Sequence, residues 1–221
     1  MLEKQIRVFR LLKIDLFYYS IIIIGLYVVF SLLFNHLFIS ETILTRWYEG
    51  DYSHAQVQSI IDFTKKWEWG FPVLNVVIVF IRIGFVTTCL FLGLFFFTNH
   101  FNSHKISFNI VLKSEFVFVL YTIVRVIWFG FIYIPDCIEA WQVAPLSLMH
   151  FFDPAIIETW LIYPLNTINV FEVLYIWMLS ALMAVAIQTT FRKAFEIVFV
   201  SYGAGLLLLI VAQMFIILNS T

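Results

Sequence analysis

Five stretches of this chain are each apolar for about the 20 residues that a helix needs to cross a bilayer. They are residues 16–38, 71–97, 110–134, 168–188 and 194–218. In hydrocarbon a backbone must satisfy its own polar groups, so such stretches fold as helices or not at all. Composition agrees: 62% of the residues are hydrophobic and 12% charged, against about 45–50% and 25% in soluble domains. That balance excludes a soluble globular enzyme, and a net charge of −1 excludes a general nucleic-acid binder. Cys89 and Cys137 are too few for a disulfide framework, and no Cys/His cluster points to zinc. The expectation is an all-α, polytopic integral membrane bundle with five transmembrane helices and additional interfacial amphipathic helices. Residues 1–221 read as a single transmembrane domain, with the first stretch a retained anchor rather than a cleaved signal.

Basic residues outside the stretches set the expected orientation. Lys4, Arg7, Arg10, Lys13, Lys105, Lys113, Arg192 and Lys193 fall on one side, and Arg46, Lys65 and Lys66 on the other. This asymmetry places the N-terminus in the cytoplasm and the C-terminus outside.

The connections also carry helical patterns. Leu2, Ile6, Phe9 and Leu12 with interleaved Lys and Arg predict a basic amphipathic helix on an anionic leaflet. Val57, Ile60, Ile61, Thr64 and Trp67 follow i, i+3, i+4, i+7 spacing and predict a helix lying on the outer surface, anchored by tryptophan. Asp153 and Pro154 predict a short helix start, and Pro164 its end. Asn169 followed by Glu172 predicts a cap for the fourth stretch at the outer interface. Arg192 and Glu196 have ion-pair spacing.

Arg82 and Arg125 fall some 15 Å inside the second and third stretches, counted from their outer ends at 1.5 Å per residue. Each costs about 2.5–3.5 kcal/mol near a bilayer centre unless an anion or water meets it. Glu172 is the candidate counter-ion within the chain; a partner subunit's carboxylate or a lipid phosphate are the alternatives. Arg82, Arg125 and Glu172 are therefore the candidate partner- or anion-binding residues. Ser180 and Ala184 in the fourth stretch, and Ser201 and Gly205 in the fifth, are candidate helix-packing positions for a close hairpin between the two.

The run Leu165-Asn-Thr-Ile-Asn-Val-Phe-Glu-Val-Leu-Tyr-Ile-Trp, followed by Phe191-Arg-Lys-Ala-Phe-Glu-Ile-Val-Phe-Val, resembles the C-terminal part of the Yip family. There an N-x-F start to one span is followed by a short basic turn and a final hydrophobic helix. With few residues ahead of the first stretch, the chain looks like the bacterial branch. The resemblance implies a non-enzymatic membrane organiser or complex subunit.

Nucleophile elbows, P-loops, GxGxxG and HExxH are missing from the sequence. Of the histidines only His100 and His104 have ligand-like spacing, with no third ligand nearby. No catalytic residue, cofactor or metal is expected. The leading expectation is an accessory or scaffold protein of a bacterial inner membrane, with membrane lipids and other membrane subunits as partners. The alternative is a transporter or permease subunit for an anionic or lipidic solute, which would need a polar cavity and often broken helices.

Overall fold

The computed structural model describes residues 16–38, 41–48, 52–98, 103–133, 143–152 and 156–220. The amphipathic segment at residues 1–15, and His100, Asp136, Cys137, Glu139, Asp153 and Pro154, lie outside them. The architecture is an all-α bundle; apart from one isolated bridge between Ser147 and Asn169, the described residues contain no β pairing.

In chain order the helices are α1 (Leu16–Phe38), α2 (Glu41–Tyr48), α3 (His54–Lys66), α4 (Gly70–Phe97), α5 (Ser103–Ser114) and α6 (Phe116–Ile127). After them come α7 (Thr159–Thr167), α8 (Val170–Ala186), α9 (Phe191–Val198) and α10 (Ala204–Ser220). Helices α5 and α6 join with a π turn at Trp128–Ile132 into one apolar rod over His104–Ile132. Helices α9 and α10 join through the π turn Phe199–Gly203 into another over Phe191–Asn219. Those two rods, α1 and α4 are the four described helices long and apolar enough to cross a membrane. Their outer faces carry Phe96 at 74% and Leu208 at 71% exposure, an arrangement suited to lipid and costly in water.

The third rod begins well before residue 110, because the polar SHKISFN start still propagates a helix; this lengthening moves Glu115 toward the middle of the rod. The fourth apolar stretch is corrected too. Its helix α8 has only 17 residues, because the chain leaves helical geometry at Ile168 and Asn169. Before that break stands α7, which starts at Thr159 rather than beside Asp153, and which contains Pro164 instead of ending at it. A proline there removes one helical N–H but does not stop the next three residues from closing the last turn.

The bundle packs tightly at the end where α4 stops at Phe97, α5 starts at Ser103 and the turn at residues 187–190 joins α8 to α9. Gln188 takes a left-handed backbone (φ 51°) and Thr189 N–H donates to the Ala184 carbonyl at 2.9 Å, which closes α8 and turns the chain into α9. Leu90, Leu94, Val111, Leu179, Met183, Ala194 and Val198 fill this end. Toward the opposite end α4 keeps its contact with α1, while α6 parts from α4 and packs on α1 and α8. Space opens there between the helices.

At that open end α2 and α3 form a small hairpin of their own. Ser53 and Gln56 make a capping box at the start of α3, and Leu44, Val57 and Ile61 close over one another with Trp47 and Tyr48 against them. The expected apolar stripe of α3 is therefore partly consumed by α2, leaving Phe63, Trp67 and Trp69 exposed, the two tryptophans stacked at 5.9 Å.

Candidate functional site: a polar centre beside a broken helix

Glu115 is the only residue between α5 and α6, and it is fully buried. Its Oε2 accepts from Arg82 Nη2 at 2.5 Å and from the Tyr27 hydroxyl at 3.0 Å, and Arg82 Nη2 also reaches that hydroxyl at 2.8 Å. Three helices, α1, α4 and the α5–α6 rod, are thus tied at one point. The Arg82 guanidinium lies 3.9 Å from the Phe118 ring centroid and 5.9 Å from that of Tyr27, so aromatic faces shield it where the carboxylate does not. The counter-ion of Arg82 is Glu115, and the expectation that Glu172 serves it is corrected.

Glu172 has a different partner. Its backbone N–H donates to Asn169 Oδ1 at 2.9 Å, the cap that the sequence predicts, while its carboxylate Oε1 accepts from the Tyr202 hydroxyl at 2.5 Å. Nor does Glu172 lie at an outer interface. Tyr202 precedes the whole of α10, whose 17 residues run on for about 25 Å at 1.5 Å each. Helix α7 packs along that length of α10, so the α7–α8 break lies part-way along the bundle, with Ile168 and Val170 half-exposed on its surface.

Backbone freed at such a break must find partners away from water. Here a loop supplies them. Leu148 N–H donates to the Ile168 carbonyl at 3.0 Å, and Val170 N–H to the Leu146 carbonyl at 3.2 Å. Asn166 Oδ1 holds the same loop through Ala144 N–H at 2.8 Å and the Ser147 hydroxyl at 3.3 Å. Leu146 itself is left-handed (φ 57°), and Ser147 and Met149 beneath it are buried.

Two cavities flank Arg82. The larger, about 870 Å³, runs between α4, α6, α7, α8 and α10; its polar lining includes Arg82, Asn166, Asn169, Glu172, Tyr202 and Gln213, and the rest is mostly aliphatic and aromatic. The smaller, about 260 Å³, lies between α1, α4 and α6 and holds both Arg82 and Arg125 with Ser31, Asn75, Tyr121 and Thr122. Arg125 rests 4.8 Å from the Phe34 ring centroid and 5.8 Å from that of Phe129. It is shallower than expected, since the rod ends at Ile132, yet it shares a cavity with Arg82. Around this centre Arg82 Nε, Glu115 Oε1 and the Tyr175 hydroxyl are buried with no hydrogen-bond partner among the described residues. Sites of this kind hold internal water or a ligand atom.

The packing residues divide differently from the sequence expectation. Ser180 and Ala184 are buried on α8, which does form a close hairpin with α9. Ser201 and Gly205 instead face α4. A Cβ on Gly93 would stand 2.7 Å from Ser201 Cβ, and one on Gly205 would stand 2.5 Å from Cys89 Sγ. Arg192 and Glu196 pair at 3.2 Å on the exposed surface as expected. The sequence reading places Glu115 near the inner interface, away from the depth of the arginines, and the pairing with Arg82 corrects that; Tyr27 and Tyr202 it missed. The signal for Glu115 was present in the extra helical turns ahead of residue 110; nothing in the spacing of the two tyrosines marked them.

Comparison of the chain with family models, with curated proteins and with solved structures finds no match to any of them.

Proposed function

We propose that this protein is a membrane-embedded carrier or permease component that accommodates an amphipathic solute in the larger cavity. One observation carries the reading: an aliphatic and aromatic cavity of about 870 Å³, with its polar lining near the broken helix. A discontinuous helix beside a half-open groove, whose wall includes the exposed Ile78, Ile81 and Leu209, is an arrangement that secondary transporters use for binding. A scaffold has no need of it. In this reading α7 and α8 form one broken crossing, so the chain crosses five times, with its N-terminus cytoplasmic and its C-terminus outside.

The solute's polar end would meet Arg82, Asn166, Asn169 and Glu172, and its apolar part the side chains of α4, α7 and α10. Because Glu115 already offsets Arg82 and Glu172 adds a second carboxylate, this cavity by itself does not select anions. The accessory-subunit reading, with the Yip likeness, rests on the sequence run between residues 165 and 200.

Native mass spectrometry of the full chain released from nonionic detergent tests the proposal. The wild type is expected to retain an amphiphile that a Leu209→Trp variant, its cavity filled, releases. Equal retention by both would overturn it.

A further inference from the structure

We propose that Glu172 is an exchange site, which holds the cationic head of the solute in the larger cavity and takes a proton when that head leaves. The proposal rests on the reading above and deepens it, since it gives the solute a positive charge. Charge balance around the cavity carries it. The charged residues in its lining are Arg82 and Glu172, and Arg82 is already paired with the fully buried Glu115. The helices that wall the cavity bring no further cation to Glu172. Between Arg125 and Arg192, and again after Lys193, the sequence has no Lys or Arg, so α7, α8, α10 and the loop that braces the break are without basic residues. Arg125 lines the smaller cavity instead. Two acidic side chains thus share one basic partner, and the charge of Glu172 is left over.

One carboxylate oxygen is available for the exchange. Oε1 accepts from the Tyr202 hydroxyl, and among the described residues no hydrogen bond or ion pair engages Oε2. A lone carboxylate in so apolar a space binds a cation or takes up a proton. When the cationic head binds, the carboxyl proton leaves to solvent and the cation takes its place, so the charge of the site is unchanged. Near Glu172 stand Tyr202, Arg82, Glu115 and, one turn along α8, Tyr175. Tyr121 from α6 and Tyr163 from α7 complete the titratable lining, and α10 has no titratable residue. Lys113 of α5 lies beyond Glu115 toward the tightly packed end. The charges of α9 stand past the far end of α8, about 21 Å along that helix from Glu172. Ile78, Ile81 and Leu209 are exposed on the open side of the cavity, so an apolar chain reaches lipid while its head meets Glu172.

The test adds decyltrimethylammonium below its micellar concentration, decanol or tetramethylammonium to the purified full chain in nonionic detergent. In weakly buffered solution the cationic amphiphile should release protons, read by a pH indicator, and decanol none. It should also raise Tm by several degrees more than decanol, an advantage that falls as the pH is lowered because protons compete for Glu172. Glu172→Gln should abolish both the release and the advantage. Should that variant fail to fold, Leu209→Trp, which fills the cavity and leaves every charge in place, should abolish them too. Tetramethylammonium, which lacks the chain, should do neither; if it matches the amphiphile, the assignment to the solute's head is overturned. Equal effects of decyltrimethylammonium and decanol on the wild type, or a cation preference without proton release, would overturn the exchange site while leaving the amphiphile cavity standing. Proton release that survives Glu172→Gln, or survives Leu209→Trp where the first variant does not fold, would overturn it as well. No shift with either amphiphile would overturn both the exchange site and the cavity reading.

Discussion

Arg82 and Glu115 meet from antiparallel helices, each about 18 Å from the start of its own helix at 1.5 Å per residue, and join Nη2 to Oε2 at 2.5 Å. The match of depth is what makes the pair affordable: two ions in hydrocarbon, each costly alone, remove one another's field at the level where water is scarcest.

Removing one partner should therefore do more damage than removing both. Glu115→Gln is expected to destabilise the protein by about 3–5 kcal/mol, the usual cost of leaving a buried charge alone. The double variant Glu115→Gln with Arg82→Met should recover most of that loss. Thermal melts in detergent measure both; a double variant as unstable as the single one would mean the pair is not the source of the loss.

The sequence showed this centre only in part. Arg82 stands out because a charge within an apolar stretch violates the pattern around it. Glu115 did not, because Lys113 and Ser114 beside it make a polar patch that reads as a helix edge. Tertiary packing decides otherwise, burying Ser114 and Glu115 completely. Likewise the Asn169 cap was legible and its depth was not: a capping signal fixes where a helix starts along the chain, and carries no information on what stands beside it. The all-α class and the α3 stripe followed from periodicity; how many of the helices are long enough to cross, and which face met α2, α4 or lipid, did not.

Gly205 is expected to be intolerant of size because of Cys89, not because of the fourth apolar stretch. Gly205→Leu should cost about 1–3 kcal/mol, as overpacking generally does. Adding Cys89→Ala, which vacates the nearest atom, should return part of the loss. No recovery would place the clash elsewhere.

At the α7–α8 break two hydrogen bonds hold Glu172 in place, one to its backbone and one to its carboxylate. Asn169→Ala should cost about 0.5–2 kcal/mol through the lost cap. Tyr202→Phe leaves a buried carboxylate oxygen without its donor, at about 1–3 kcal/mol. Melting curves of the two variants check these values, and unchanged stability in Tyr202→Phe would show that Glu172 is satisfied in some other way.

The α2–α3 hairpin has its own small core, so its loss should be local. Ile61→Ala is expected to open residues 41–66 to limited proteolysis while the melting temperature of the bundle stays within a degree or two. A bundle that melts early in this variant would tie the hairpin to the main core.

Photo-crosslinking with a diazirine-bearing long-chain alcohol, followed by peptide mass spectrometry, tests most directly whether the space beside the broken helix takes an amphiphile. The account predicts adducts concentrated on Ile162, Tyr163, Leu209 and Gln213, competed away by unlabelled alcohol. Adducts spread over the lipid-facing Phe96, Phe131 and Leu208, with no competition, would contradict it.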